Sequence, residues 1–385
     1  MRKKVTMGDL GTIITGNTPP RSMPELYGDY TPFVKATDIS ESEKYTYTPE
    51  ECYSKEGHDR YIRSLVPKGS TCVVTIGSIG KKMTMAHCDL FINQAMNAII
   101  PNENFDNEFV YYAVKNVLSN IKGLDSGTAS GRENVSKSAF SRMEVIVDDD
   151  LIIQHRIATI LSRYDSLIEN YQKQIKLLEE AAQRLYKEWF VDLHFPGHEN
   201  TKIVDGVPEG WEKKSVDSIY SIKYGKNLST KLITADGDYP VYGANGVIGY
   251  YNKANCNEQV VLITSRGNGS GDVLMTYHKD AFITNNSFIV IPLNEYDYCQ
   301  LPFTYQFLNN ANFRSVRTGA AQPQLTNQSI HTVDVVLPHK ELIVEYCKRT
   351  LKSNDIIIHL KNQILLLIEA RDRLLPKLMS GEIAV

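Results

Sequence analysis

Phe91-Ile92 followed by Ala98-Ile99-Ile100-Pro101 is written again as Phe282-Ile283 followed by Ile289-Val290-Ile291-Pro292, at an offset of 191 residues. The echo continues downstream. Gly127-Thr128-Ala129 lies over Gly319-Ala320-Ala321, and Met143 to Val147 over Val333 to Leu337. Ile160-Leu161 with Asp165 lies over Thr350-Leu351 with Asp355, and Glu180-Ala181 with Arg184-Leu185 over Glu369-Ala370 with Arg373-Leu374. Identity at each point is low, but order and spacing hold, which is the mark of a tandem duplication with a period near 190. Upstream, Leu10 to Gly16 lies over Ile219 to Gly225 and Asp29-Tyr30 over Asp238-Tyr239, at an offset near 209. The first copy therefore carries about 19 extra residues between Pro32 and Thr75, where two related modules would differ in what they read.

The 385 residues suffice for at least two cores, and 42% apolar with 23% charged residues is ordinary globular composition. No apolar run approaches the ~18 residues of a membrane helix, the longest near the end being Ile364 to Ile368. The basic start Met1-Arg2-Lys3-Lys4 runs into Gly8, Asp9, Gly11 and Thr12 where a signal peptide would be apolar, so the chain is expected in the cytoplasm, with no membrane partner. The six cysteines form no C-x-x-C pair and have no histidine at ligand spacing, so free thiols and no metal are expected. A formal charge of −3 does not announce a nucleic-acid binder, and any such reading must come from local pattern.

Each copy divides in two. Residues 1–150 and 198–338 show short apolar runs broken by Gly, Pro, Asn and Asp. Cys72 to Ile76, Met143 to Val147, Val260 to Thr264 and Phe288 to Ile291 read as strands, Phe109 to Leu118 as a helix, and Tyr242 to Val247 as a turn between strands. Segments 151–197 and 339–385 read as long helices. In the first, Ile157, Ile160, Tyr164, Leu167, Tyr171, Ile175, Leu178, Ala182, Leu185 and Trp189 advance by threes and fours with no Gly or Pro, until Phe195-Pro196-Gly197. In the second, Val344, Leu351, Ile358, Leu360, Ile364, Leu367, Leu374 and Leu378 do the same up to Ser380-Gly381, interrupted by Asn354, Lys361 and Arg371. Two such helices should pair antiparallel. The fold expected is mixed α+β: two tandem globular recognition domains joined by two long antiparallel coiled-coil helices, with a pseudo-twofold repeat. A helix from Ile157 to Phe190 is about 50 Å long at ~1.5 Å per residue, and two heads on such a spacer suit a two-part target one turn of DNA apart.

At this point the sequence resembles a known family, the specificity subunit of type I restriction–modification systems. The resemblance spans essentially the whole chain. It rests on the twofold arrangement, on Leu151-Ile152-Ile153-Gln154-His155-Arg156-Ile157-Ala158-Thr159-Ile160-Leu161 and on Leu185-Tyr186-Lys187-Glu188-Trp189-Phe190-Val191-Asp192. It continues through Val207-Pro208-Glu209-Gly210-Trp211, Gly319 to Leu325, and Leu374 to Ile383. Gly131-Arg132-Glu133-Asn134 departs from the Gln322-Pro323-Gln324 of the second copy. The resemblance implies two target recognition domains, each reading one half of a bipartite double-stranded DNA site. It also implies docking with two modification subunits that bind S-adenosylmethionine and methylate adenine, and with restriction subunits that use ATP and Mg to translocate and cut DNA. No cofactor is implied on this chain.

Catalytic patterns are poor. Asn17-Thr18-Pro19-Pro20 has a residue inserted relative to the loop that holds a flipped adenine, and Arg21 follows it. Gly267-Asn268-Gly269-Ser270-Gly271 lacks the Gly-Lys-Ser/Thr ending of a phosphate cradle and reads as a hairpin turn. The chain is therefore expected not to be an enzyme, and DNA contact must come from polar loops. No acidic residue stands between Asp297 and Asp334, where Arg314, Arg317, Gln322 and Gln324 cluster. Arg and Lys can bridge guanine, and Asn and Gln adenine, in the major groove. The matching stretch of the first copy offers Ser130, Arg132, Asn134 and Lys137, with Lys81 and Lys82 on the preceding hairpin and Arg266, Asn268 and Ser270 as their counterparts. Singly, each of these residues also fits a solvated loop. The different reading left open is a coiled-coil adaptor that never binds DNA.

Overall fold

The computed structural model describes residues 2–124, 133–319 and 323–385. Two compact units emerge, Met1–Asn170 with Ile364–Val385, and Tyr171–Gln363. The division differs from the four consecutive segments expected from the sequence, because it cuts both long helices. Each unit is thus one body plus a segment of each helix.

The body of the first unit is built on a four-stranded antiparallel sheet in the order Gly11–Thr15, Met96–Pro101, Thr71–Val74, Met83–Met85. Its register sets Ile13 beside Ile99, Cys72 beside Ala98 and Val73 beside Met83. Thr71–Val74 is buried on both faces, which explains a continuous rather than alternating apolar run. One face packs on the helix Asn107–Asn116, whose N-cap Asp106 accepts from the Phe109 N–H at 2.9 Å. A second sheet runs Tyr27–Gly28, Glu51–Tyr53, Thr31–Val34, Phe91–Ile92, its last pair parallel. Arg2–Thr6 and Glu144–Asp148 close the body as an antiparallel pair.

The second unit repeats this plan. Tyr220–Tyr224, Ser287–Pro292, Val261–Thr264 and Val273–Met275 form the same four-stranded sheet in the same order. Tyr239–Gly243 pairs parallel with Phe282–Ile283, and Glu212–Ser215 antiparallel with Asp334–Leu337. The expected turn within Tyr242–Val247 is the two-residue loop between Tyr239–Gly243 and Gly246–Tyr251, with Gly246 at φ 102°. The extra residues of the first copy become Glu51–Tyr53 and the helix Lys55–Tyr61, which carry their own small core of Phe33, Tyr53 and Phe91. In the second copy the hairpin strand Gly246–Tyr251 stands in that place.

The long helices are Leu151–Tyr186, closed by a π-turn at Lys187–Val191, and Lys340–Ser380, closed by Gly381 at φ 82°. In the first unit, Ile157, Ala158 and Leu161 share a core with Leu375, Leu378 and Met379, while Asp165 meets Arg371. The two helix segments therefore run antiparallel. In the second unit Lys361 meets Glu179 at 2.9 Å and the Tyr346 hydroxyl donates to the Ala182 carbonyl at 3.0 Å, again antiparallel.

The buried stripe differs from the heptad reading by one residue. Leu167 stands 43% exposed, and Asp165 and Ile168 are buried instead, with Ile160 and Tyr164 only half-buried. Tyr171, Leu178 and Leu185 are also half-buried, and of the expected seam Ile157, Ile175 and Trp189 are fully buried. In the second helix Leu351, Ile358, Ile364, Leu367 and Leu374 are half-buried, Leu360 is buried, and Ile357 and Leu375 are the buried neighbours. The reason is that the stripe must face a body as well as a helix. The pattern is nonetheless duplicated: Gln154, Ile157, Ala158, Leu161, Asp165 and Ile168 are buried, and so, 189 residues on, are Ile343, Tyr346, Cys347, Thr350, Asn354 and Ile357. The structural register is thus 189, one less than the sequence match of Asp165 with Asp355.

Candidate nucleic-acid interface

In both bodies the loops at one end of the four-stranded sheet are stitched together by the same backbone bonds. In the second, the Ser265 N–H reaches the Asn286 carbonyl and the Thr284 N–H reaches Tyr242, at 2.8 and 3.0 Å. The Gly267 N–H bonds Pro323 at 3.0 Å, the Leu325 N–H bonds Ser265 at 2.8 Å, and Arg266 pairs with Gln324 as an isolated bridge. The segment 323–325 is thereby laid along the 264–272 loop as a short extra edge. In the first body, Thr75 N–H to Ala95 and Asn93 N–H to Val34 repeat the first two bonds, at 2.8 and 3.1 Å. Gly77 N–H to Glu133 and Val135 N–H to Thr75, at 3.1 and 2.9 Å, repeat the others, with Ile76 opposite Asn134. One frame thus presents Arg266 and Gln324 in one copy and Ile76 and Asn134 in the other.

The expected contact residues fall into distinct groups. Arg266, Asn268 and Gln324 are exposed on this end of the second body. Arg314 is exposed but joined to Asp272, its Nε donating to that carboxylate at 3.2 Å, so its charge is partly neutralised. Arg317 sends Nη1 to the Asn268 carbonyl at 3.5 Å, while its buried Nε and Nη2 have no partner among the described residues. Ser270 is fully buried, with its Oγ on the Ser265 carbonyl at 3.3 Å. It shapes the turn and does not face outward, because a hydroxyl folded onto its own loop satisfies two polar groups at once. In the first body Lys81 is exposed, and half-buried Lys82 donates to the Ala36 carbonyl at 3.4 Å. Asn134 is half-buried in its bridge, and Lys137 is exposed at the start of the helix Lys137–Arg142, capped by Ser136. Ser130, Arg132 and Gln322 lie outside the described residues.

The stitching also brings in residues that the sequence reading does not assign to DNA contact. Asn17, Thr18 and Gln94 are exposed at this end of the first body, and Lys226, Asn227 and Asn245 at that of the second. Their signal is the repeat itself: Gly16 and Gly225, which the alignment superposes, each precede an Asn or Lys. Both glycines sit where a side chain would strike the facing backbone at 2.2–2.3 Å. Side chains of this kind hydrogen-bond base edges and phosphates, which is what reading a duplex requires.

Among the described residues there is no group of three or more His, Cys, Asp or Glu placed to hold a metal, and no helix long and apolar enough to cross a membrane. All six cysteines are free.

A body that gathers Arg, Lys, Asn and Gln on one stitched sheet end, and is present twice in a chain, offers two separate sets of side chains able to hydrogen-bond base edges and phosphates. The chain belongs to the family described as the type I restriction modification DNA specificity domain, which matches at residues 2–180 and again at 208–366. It is similar to the MjaIX type I restriction enzyme specificity subunit of Methanocaldococcus jannaschii, 26% identical over 98% of this chain and 92% of that one. It is also similar to the HindI specificity subunit of Haemophilus influenzae, 31% identical over 45% of this chain and 38% of that one. A solved S subunit of a type I restriction–modification system from M. genitalium shares the fold, with a TM-score of 0.57 at 20% identity, over 98% and 96% of the two chains.

Proposed function

We propose that this chain selects a bipartite DNA sequence for a type I restriction–modification complex, each body reading one half-site through its stitched loop end. The observation that supports this most is the shared frame with different side chains on it, Arg266 and Gln324 in one body against Ile76 and Asn134 in the other. Two related frames carrying side chains of different chemistry, hydrogen-bonding Arg266 and Gln324 in one and apolar Ile76 beside Asn134 in the other, suit two unlike half-sites. The long helices then serve as the spacer and as the docking surface for two modification subunits. Those subunits would carry S-adenosylmethionine and the adenine chemistry, and restriction subunits would carry ATP and Mg. The mild acidity of the chain fits a reader that shares the attraction for DNA with its partners.

The test is co-expression with the modification subunit, followed by methylome sequencing. Adenine methylation at one gapped motif, lost on deleting this chain, is expected. Methylation that persists without it would overturn the reading. A four-residue insertion near Tyr171 in the first helix, matched in the second, should lengthen the gap of that motif while leaving both half-sites unchanged.

A further inference from the structure

In the first unit a buried carboxylate joins three elements. Asp165 on the first long helix and Arg371 on the second are 4% and 2% exposed, and they form an ion pair. The second oxygen of Asp165 accepts from the Tyr112 hydroxyl of the body helix. Arg371 is also held by Asp372, through Nε at 2.9 Å. Both carboxylate oxygens are thus occupied, as a buried charge requires.

The duplicated register says what stands at the same place in the second unit. Asn354 corresponds to Asp165 and Ala182 to Arg371, each at an offset of 189. Counting from the helix N-caps Asp106 and Gln300, Gln306 corresponds to Tyr112. None of these three side chains is ionised, and the nearest charge is that of Glu179, which also lines the place and is paired with Lys361 at 2.9 Å. Ala182, Asn354 and Gln306 line a cavity of about 30 Å³, room for one water, and the Gln306 Oε1 is buried without a partner among the described residues. The fold therefore forms without the ion pair, and stability alone does not account for it.

A duplicated chain faces a pairing problem. Its two helices descend from one sequence, so the first helix could equally pair antiparallel with the first helix of a second copy. Such a pairing would set Asp165 against Ala182, burying a carboxylate with no cation. Pairing second helix with second helix would set Arg371 against Asn354, burying a guanidinium with no anion. Only the first helix with the second satisfies both places, as an ion pair in one unit and an uncharged set in the other. We propose that the Asp165–Arg371 pair is a partner-selection device, directing the two long helices to each other and away from the same helix in a second copy of this chain.

Two full-length variants test this by exchanging mismatches. In Asp165→Asn the first unit sets an amide against Arg371, and in Arg371→Ala it sets Asp165 against a methyl group. Each single chain is mismatched. A dimer of the two in which the helices are exchanged restores one ion pair and one uncharged pair like that of the second unit. Breaking a buried pair weakens pairing roughly 100- to 4,000-fold. Closure within one chain is favoured by an effective concentration in the mM range over micromolar protein, a comparable factor, but the exchanged dimer relieves two mismatches for the loss of one such closure.

The variants, carrying different tags, are co-expressed and purified through both tags in turn, and the product is weighed by light scattering. A mixed dimer at least ~10-fold more abundant than from two differently tagged wild-type chains is expected. The double variant Asp165→Asn with Arg371→Ala, which copies the second unit, should remain folded. A mixed-dimer yield no higher than wild type, with both single variants folded, overturns the proposal. So does an equal yield from two copies of Asp165→Asn alone, since that dimer relieves no mismatch when its helices are exchanged.

Discussion

The two units attach their bodies to the long helices by different means. The first adds charge to the apolar core that its body shares with both helices: Asp165, Arg371 and Tyr112 are in contact, with Lys44 buried against Glu108 and the rings of Tyr45, Tyr111 and Tyr112. The second uses aromatic surface. Phe190 stands 5.5 Å from both Phe303 and Tyr346, with Trp189, Tyr186 and Trp211 in the same cluster. Edge-on ring contacts are tolerant of small shifts and add about 0.5–1.5 kcal/mol each beyond area burial. A buried ion pair is intolerant, since losing one partner strands the other. The difference teaches that one duplicated frame can carry a discriminating joint and a cohesive joint at once.

The largest effect expected in breaking this comparison is Arg371→Ala, which strands Asp165. It should cost about 3–5 kcal/mol of stability, read as a lowered denaturation midpoint. The corresponding change in the second unit, Asn354→Ala, removes no charge and should cost clearly less. Equal losses would show that the two joints do not differ in kind.

The reading loops are compared by Arg266→Ala. Loss of one good base contact is worth about 1–3 kcal/mol. The methylated motif should relax at one position of one half-site, and the other half-site should stay unchanged. Lys81→Ala, at the matching hairpin of the first body, should relax or weaken the opposite half only. Effects of both variants on the same half-site would sink the assignment of one body to each half.

These comparisons also show how far the sequence can be read. The strands at Cys72 to Ile76 and Val260 to Thr264, the hairpin at Tyr242 to Val247 and the helix end at Gly381 are legible from local pattern, because glycine and β-branched runs act locally, whereas the first long helix closes at Val191, before the expected Phe195-Pro196-Gly197. The duplication is legible because Phe-Ile and Ile-Ile-Pro recur at fixed spacing. The helix face is not legible. Leu167 looks like core and Asp165 like surface, yet the structure exchanges them, because Arg371 and Tyr112 supply from far along the chain what Asp165 lacks nearby. Ser270 misleads for the same kind of reason: its partner, the Ser265 carbonyl, is visible only once the turn is formed. Asn17, Gln94 and Lys226 escape a linear reading because only the backbone stitching gathers them at one sheet end.

A smaller effect probes the aromatic joint. Tyr346→Phe deletes the bond to the Ala182 carbonyl and leaves the ring contacts in place. A loss of about 0.5–1.5 kcal/mol is expected, whereas Tyr346→Ala should cost several times more. Similar costs for the two would mean that the hydroxyl, and not the ring, holds the joint.

The smallest effect isolates the charge of the first unit by pH. Burial, and after it the Arg371 cation, pushes the Lys115 ammonium down to about 8 from its ordinary 10.5. Between those values the unfolded chain binds more protons at this site than the folded one, so stability should rise as pH rises through 8. Lys115 is partly solvated, which keeps the gain below about 1 kcal/mol between pH 7 and 9. The raised tyrosines act above pH 10: burial holds Tyr53 and Tyr111 protonated in the fold, so stability falls there as the unfolded chain ionises first. The measurement is the difference in denaturation midpoint between wild type and Lys115→Met at pH 7, 8 and 9. The wild-type chain should gain on the variant steadily across that range. A constant difference would show that Lys115 is fully hydrated in the fold and that the charge of this joint is confined to Asp165, Arg371 and Asp372.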